Sequence, residues 1–177
     1  MSVKSYIKRK AYKLYNKIVH EKASPSYIAR GWAIGMFYGC TIPFGFQLML
    51  SIPTSFLLKG SKIGASLGTL LTNPVTIFII YPIQCYVGNH ILGGSLSYEG
   101  AKQAVNEMLK EQTIDSMMQM GWDLVAAFFL GGFLWAAIMT PLTYFVVKKL
   151  VVNYRKVKEA RRAKRALKKQ QKKSQTV

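Results

Sequence analysis

Two short stretches carry residue types able to hold a ligand from within apolar sequence: Thr41-Ile42-Pro43-Phe44-Gly45-Phe46-Gln47 and Thr72-Asn73-Pro74. A proline removes a backbone donor and clashes with the preceding turn, so a helix breaks at each of them. The helix that restarts presents free N–H groups and a positive dipole end, which can hold an anionic group at membrane depth. Asn73 followed by Pro74 reads as a cap and a first helical residue. Thr41, Gln47 and Thr72 add neutral hydrogen-bonding groups, and Arg30 adds a fixed positive charge. Arg30, Thr41, Pro43, Gly45, Gln47, Thr72, Asn73 and Pro74 are therefore the candidate ligand-binding residues, with an anionic lipid headgroup or a small anionic solute as ligand. The competing reading is that the prolines, glycines and Asn73 only shape a compact membrane fold, with threonine hydroxyls satisfying broken backbone and Arg30 reaching for the interface.

Catalysis has little to work with. Neither stretch contains a carboxylate, so an intramembrane acid and base pair or a proton relay has no residues. Cys40 or Cys85 as a nucleophile would need a histidine, and only His90 is a candidate partner. There is no C-x-x-C, and His20 and His90 are far apart, so neither a zinc site nor a disulfide framework is expected. The expectation is a non-enzymatic protein without metal or cofactor.

The elements that must position these residues are three nearly uncharged segments. They span residues 26–58 (only Arg30 charged), 62–92 (only Lys62) and 121–147 (only Asp123), each longer than the roughly 20 residues that cross hydrocarbon. The first is too long for one span and too short for two, so a re-entrant hairpin or a sharply broken span is expected. The second repeats the device: Gly64, Gly68 and Asn73-Pro74 echo Gly35, Gly39 and Pro43. Both glycine pairs are small-x-x-x-small spacings that allow close helix approach, within a subunit or between copies.

Charge orients the segments. The formal charge is +18, with seven of the 25 basic residues in 4–22 and thirteen in 148–173. Both ends are therefore expected in the cytoplasm. No apolar core with a cleavage site follows the basic start, so a cleaved signal peptide is not expected. Two cytoplasmic ends require an even number of crossings. The linker Lys59-Gly60-Ser61-Lys62 favours the inside and the acidic-leaning stretch 93–120 the outside. Segment one is then re-entrant, segment two crosses outward and segment three returns.

The expected fold is an all-α membrane protein. Residues 1–23 form a basic amphipathic interfacial helix, with Val3, Ile7, Ala11, Leu14 and Ile18 on its apolar side. Residues 24–147 form the membrane domain, with a short helix over 98–112 inside the polar loop 93–120. Residues 148–177 form a basic cytoplasmic tail, into which the last helix continues because the tail lacks glycine and proline.

The run Pro25, Ile28-Ala29, Gly31, Ala33-Ile34-Gly35, Phe37, Gly39, Pro43, Gly45, then Gly68-Thr69, Asn73-Pro74, Thr76, Tyr86, Gly88 and Leu92-Gly93 resembles a bacterial membrane-protein family catalogued as a domain of unknown function. The resemblance covers roughly residues 24–94. Members often carry Arg-x-Asn in the linker, where this chain has Lys59-Gly60-Ser61-Lys62. Some members look fused to glycosyltransferases acting on polyprenyl-phosphate lipids, which implies envelope or lipid-linked sugar metabolism by association.

Function follows as two alternatives. One is a carrier or flippase-like protein for an anionic lipid or small solute in the cytoplasmic membrane, working as a homo-oligomer because three segments enclose little volume. The other is a membrane adaptor whose basic tail recruits anionic lipid, a cytoplasmic partner or the ribosome, with nucleic acid not expected as a specific ligand.

Overall fold

The computed structural model describes residues 23–73, 75–111 and 121–174. The expected amphipathic helix before Ala23, and Pro74, lie outside the described residues. Those residues fold as six α-helices without strands: α1 (Pro25–Thr41), α2 (Gln47–Leu57), α3 (Lys62–Gly68) running into a 3₁₀ turn (Thr69–Leu71), α4 (Ile77–Ile91), α5 (Tyr98–Glu111) and α6 (Trp122–Ser174).

Local sequence sets where these helices start and stop. Ser24 caps α1 by accepting from the Tyr27 N–H at 3.2 Å, with Pro25 in the first turn, where its missing donor costs nothing. Ser61 caps α3 in the same way, accepting from the Gly64 N–H at 2.8 Å. α1 stops before Pro43, and Gly45 takes φ +104° in the turn that follows, a conformation that penalises a Cβ. Pro53, Pro82 and Pro141 sit inside α2, α4 and α6 without ending them.

The first apolar segment folds back on itself. α2 returns along α1, the Tyr38 hydroxyl lies 2.8 Å from Thr54 Oγ1 between them, and the Ser61 N–H reaches the Tyr27 carbonyl at 3.1 Å. α3 then runs parallel to α1 at glycine-limited distance. A Cβ on Gly31 would collide with the Ser61 carbonyl and one on Gly35 with that of Ala65. One on Gly68 would come within 2.5 Å of the Trp32 carbonyl, one on Gly64 within 2.8 Å of the Trp32 ring, and one on Gly39 within 3.4 Å of Thr69. Gly35, Gly39, Gly64 and Gly68 are thus used up in packing inside one chain. The sequence left open whether they join helices or subunits; the structure buries all four between α1 and its own neighbours.

α6 runs antiparallel to both α1 and α4. Its residues Val147 and Val151 pack with Ile28, Ala29 and Trp32 near the start of α1, while Gly131 meets Gln84 and Ala127 meets Gly88 of α4. α1 and α4 therefore lie end to end along one side of α6 and point the same way. The second apolar segment accordingly breaks between Thr72 and Thr76 but keeps its direction.

α6 has 53 residues and is about 80 Å long. Among the described residues it is the one helix long and apolar enough to cross a membrane, between Trp122 and Arg161, and only 28% of its most apolar window is buried. That exposure is unlike the core helix of a water-soluble domain and fits association with a membrane. No structural break falls at 147–148, because Val147 and Val151 belong to one core cluster and the sequence beyond is rich in helix formers. The short helix expected over 98–112 forms as α5, Tyr98–Glu111, and it packs on the rest of the fold. α5 buries Ala101 and Val105 against Ile77, Tyr81, Cys85 and Phe128.

The burial pattern is inverted relative to a soluble fold. On α2, Gln47, Ser51 and Ser55 are buried one turn apart, while Leu48, Met49, Leu50, Phe56 and Leu57 are exposed. Apolar groups face outward and small or polar groups face the interior, the arrangement a lipid surround favours.

Candidate functional site

The tip of the α1–α2 hairpin, the break between the 3₁₀ turn and α4, and the Gly131-Gly132 pair of α6 meet at one place. The two chain breaks leave backbone carbonyls without helical partners there, and side-chain amides serve them. Gln47 Nε2 donates to the Ile42 carbonyl at 2.9 Å and to Thr72 Oγ1 at 2.8 Å, with the Tyr81 hydroxyl at 3.3 Å. Thr72 Oγ1 donates in turn to the Gly39 carbonyl at 2.9 Å, with that of Thr69 at 3.2 Å. Gln84 Nε2 donates to the Cys40 carbonyl at 2.6 Å.

Gln84 is 0% exposed and its Oε1 has no donor. Reversing the amide would face two acceptors at Cys40, so the orphaned oxygen is the less costly arrangement. α6 seals the site through glycine: a Cβ on Gly132 would stand 2.6 Å from Gln84 Nε2 and 2.7 Å from the Cys40 carbonyl. The Tyr81 ring stands edge-on to Phe128 at 5.0 Å. Gly132 falls about 15 Å along α6 from Trp122 and about 24 Å before Lys148, so the junction lies well inside the apolar length.

The candidates named from sequence divide. Thr41, Gln47 and Thr72 come together here, with Pro43 and Gly45 in the adjoining turn. The Thr41 hydroxyl, though buried, is used within α1 on the Phe37 carbonyl at 2.9 Å. Asn73 lies next to the junction, but its side chain is occupied. Oδ1 accepts from the N–H groups of Val75 (3.0 Å) and Thr76 (3.3 Å), and Thr76 Oγ1 accepts from the Asn73 N–H at 3.0 Å. This reciprocal pair closes the turn ahead of α4, which starts at Ile77 rather than directly after Asn73, and it consumes donors that an anion would otherwise use. Arg30 is elsewhere. It is exposed near the start of α1, with Nη1 3.4 Å from the Leu58 carbonyl, about 16 Å along the helix from Thr41.

Sequence reasoning did not select Tyr81 or Gln84. Gln84 is the strongest missed signal, an amide in the middle of a 15-residue apolar helix, where a polar group needs a partner. Cys40 and Cys85 are free and buried, and His90 stacks on Tyr86 at 4.7 Å between centroids. Among the described residues, no three His, Cys, Asp or Glu side chains gather as a metal site would require.

A bacterial family described as an uncharacterized protein conserved in bacteria (DUF2062) matches residues 8–160. The chain belongs to that family. The match reaches beyond residues 24–94, which carry the motif resemblance, and takes in every junction residue and α6 as far as residue 160. No curated protein and no solved structure matches the chain.

Proposed function

We propose that the protein is a multi-pass cytoplasmic-membrane carrier or flippase-like protein for an anionic lipid or small anionic solute, with Gln47, Thr72, Tyr81 and Gln84 at its crossing point. The observation that carries this reading is the buried polar junction built from two chain breaks inside the apolar length of α6. Discontinuous helices meeting near the bilayer midplane are how membrane carriers build binding sites. Neutral amide and hydroxyl donors suit a passing anion, which must be held weakly enough to leave.

The chain path supports a topology in which α1–α2 enters and leaves by one face, α3 and α4 cross, and α6 returns. Arg30, Lys59, Lys62, Lys148 and Lys149 then share the cytoplasmic side, as the distribution of positive charge favours.

A second reading is favoured by α6 itself. Its basic portion from Lys148 to Ser174 extends the membrane helix by about 40 Å, and its root is held where Arg155 donates to the Ala23 carbonyl. A rigid basic arm of fixed direction suits an adaptor for an anionic partner.

Reconstitution separates the two. Proteoliposomes of wild type, Gln84→Leu and a chain truncated after residue 160 are compared for movement of a fluorescent anionic phospholipid. A carrier moves lipid as wild type and when truncated, and loses movement in Gln84→Leu. Absence of movement in wild type would overturn the carrier reading.

A further inference from the structure

α2 ends in a turn that places a lysine where a glycine is usual. The Gly60 N–H donates to the Ser55 carbonyl at 2.7 Å and the Lys59 N–H to that of Phe56 at 3.2 Å, the bond pair of a Schellman motif. The left-handed position of this motif is held by Lys59, at φ +51°, and the glycine comes one residue later. Among the described residues Lys59 is the one non-glycine with positive φ, so a charged side chain is retained against a local backbone preference.

Tertiary packing gathers two more cations beside it. The Arg30 guanidinium reaches the Leu58 carbonyl through one long contact and keeps the rest of its five donors. Lys62 opens α3, with Nζ 4.8 Å from the centre of the Phe56 ring. The Ser61 to Tyr27 hydrogen bond holds this linker against α1. The sequence has no Asp or Glu from residue 23 to residue 73, and the ion pair found among the described residues, Glu99 with Lys102, is on α5. Next to the three cations the surface is apolar: Phe56 is 67%, Leu57 76% and Ile63 55% exposed.

We infer that Arg30, Lys59 and Lys62 form a seat for the phosphate of an anionic phospholipid, with Phe56, Leu57 and Ile63 against its acyl chains. Cations edged by exposed aliphatic and aromatic groups match an amphiphile with a charged head, whereas a free phosphate has no use for the apolar part. The inference rests on the membrane placement proposed above and requires no movement of lipid.

The test uses the full chain in neutral detergent at moderate salt, with a chain truncated after residue 160 run beside it to separate the contribution of the tail charges. Phosphatidylglycerol, phosphatidylcholine and inorganic phosphate are titrated separately, with binding read by native mass spectrometry and by the melting temperature. The wild type is expected to prefer phosphatidylglycerol. Lys59→Gly relieves the left-handed backbone, so it should melt no lower than wild type yet bind phosphatidylglycerol about fivefold more weakly. Arg30→Gln and Lys62→Gln should weaken binding similarly, and Lys102→Gln should not. Equal binding of phosphatidylcholine, or unchanged binding by Lys59→Gly, overturns the seat. Displacement by inorganic phosphate at matching concentration overturns the lipid assignment in favour of a soluble ion. Intact phosphatidylglycerol preference without lipid movement in proteoliposomes would refute the carrier and leave the seat standing; the reverse pattern would refute the seat alone.

Discussion

The backbone N–H of Ser61 donates to the carbonyl of Tyr27 at 3.1 Å, tying together the two ends of the α1–α2 hairpin. This contact fixes the path of everything that follows. α3 starts beside the start of α1, runs parallel to it and delivers Thr72 to the hairpin tip, where Gln47 waits. The linker cations and the buried junction are thus two ends of one device, separated by the length of α1.

Glycine at position 31 is required for that start. A Cβ there would overlap the Ser61 carbonyl, and backbone cannot yield as a flexible side chain would. Gly31→Leu is expected to destabilise the fold by about 3 kcal/mol or more, seen as loss of a monodisperse peak in detergent and a lower melting temperature. Gly93→Ala, in open space although at φ +78°, should be much milder.

Gln47 and Thr72 act as a pair. Removing either leaves buried acceptors without their donor, which costs about 1–3 kcal/mol. Gln47→Leu and Thr72→Val should each lower stability, and the double variant should lose clearly less than the sum. Additive losses in a thermal melt series would mean that the 2.8 Å contact contributes nothing.

Asn73 is a cap first. Asn73→Ala frees the Val75 and Thr76 N–H groups and should cost about 1 kcal/mol, with Asn73→Ser or Asn73→Asp restoring most of it. A transport defect in Asn73→Ala that Asn73→Asp also shows, at normal melting temperature, would instead reveal a role beyond capping.

Accessibility labelling tests the topology. Single cysteines at Lys59, Gly100 and Ser174, in a chain with Cys40 and Cys85 replaced by alanine, should label from the cytoplasmic, outer and cytoplasmic sides respectively. Position 60 is unsuitable because a Cβ there would lie 2.9 Å from the Gly31 nitrogen. Lys59 and Gly100 labelling from the same side would disprove the proposed path.

Much of this was legible from residue types. Pro43 and the Asn73-Pro74 pair marked the breaks, because a missing N–H weakens a helix locally, although Pro53, Pro82 and Pro141 are accommodated inside helices. Ser24-Pro25 and Asn73 gave caps, because their side chains act on donors two or three residues away. Both are local effects, readable without knowing what lies across the fold. The short helix expected over 98–112 is α5, Tyr98–Glu111, but its packing was not legible: Ala101 and Val105 stand out only once Tyr81 and Phe128 are beside them.

What the sequence determined by itself was an all-helical, apolar chain broken at Pro43 and near Asn73, between strongly basic flanks. Only the tertiary structure decided which polar residues meet. It drew Gln47, Thr72, Tyr81 and Gln84 into one buried junction, left Arg30 at the far end beside Lys59, and spent the glycine pairs on packing within the chain. The physical reason is that helix breaks are set by neighbours along the chain. Partners of a buried amide are set instead by how closely helices approach, and here that depends on glycines in contact across as many as 92 residues, Gly132 on α6 with Cys40 on α1.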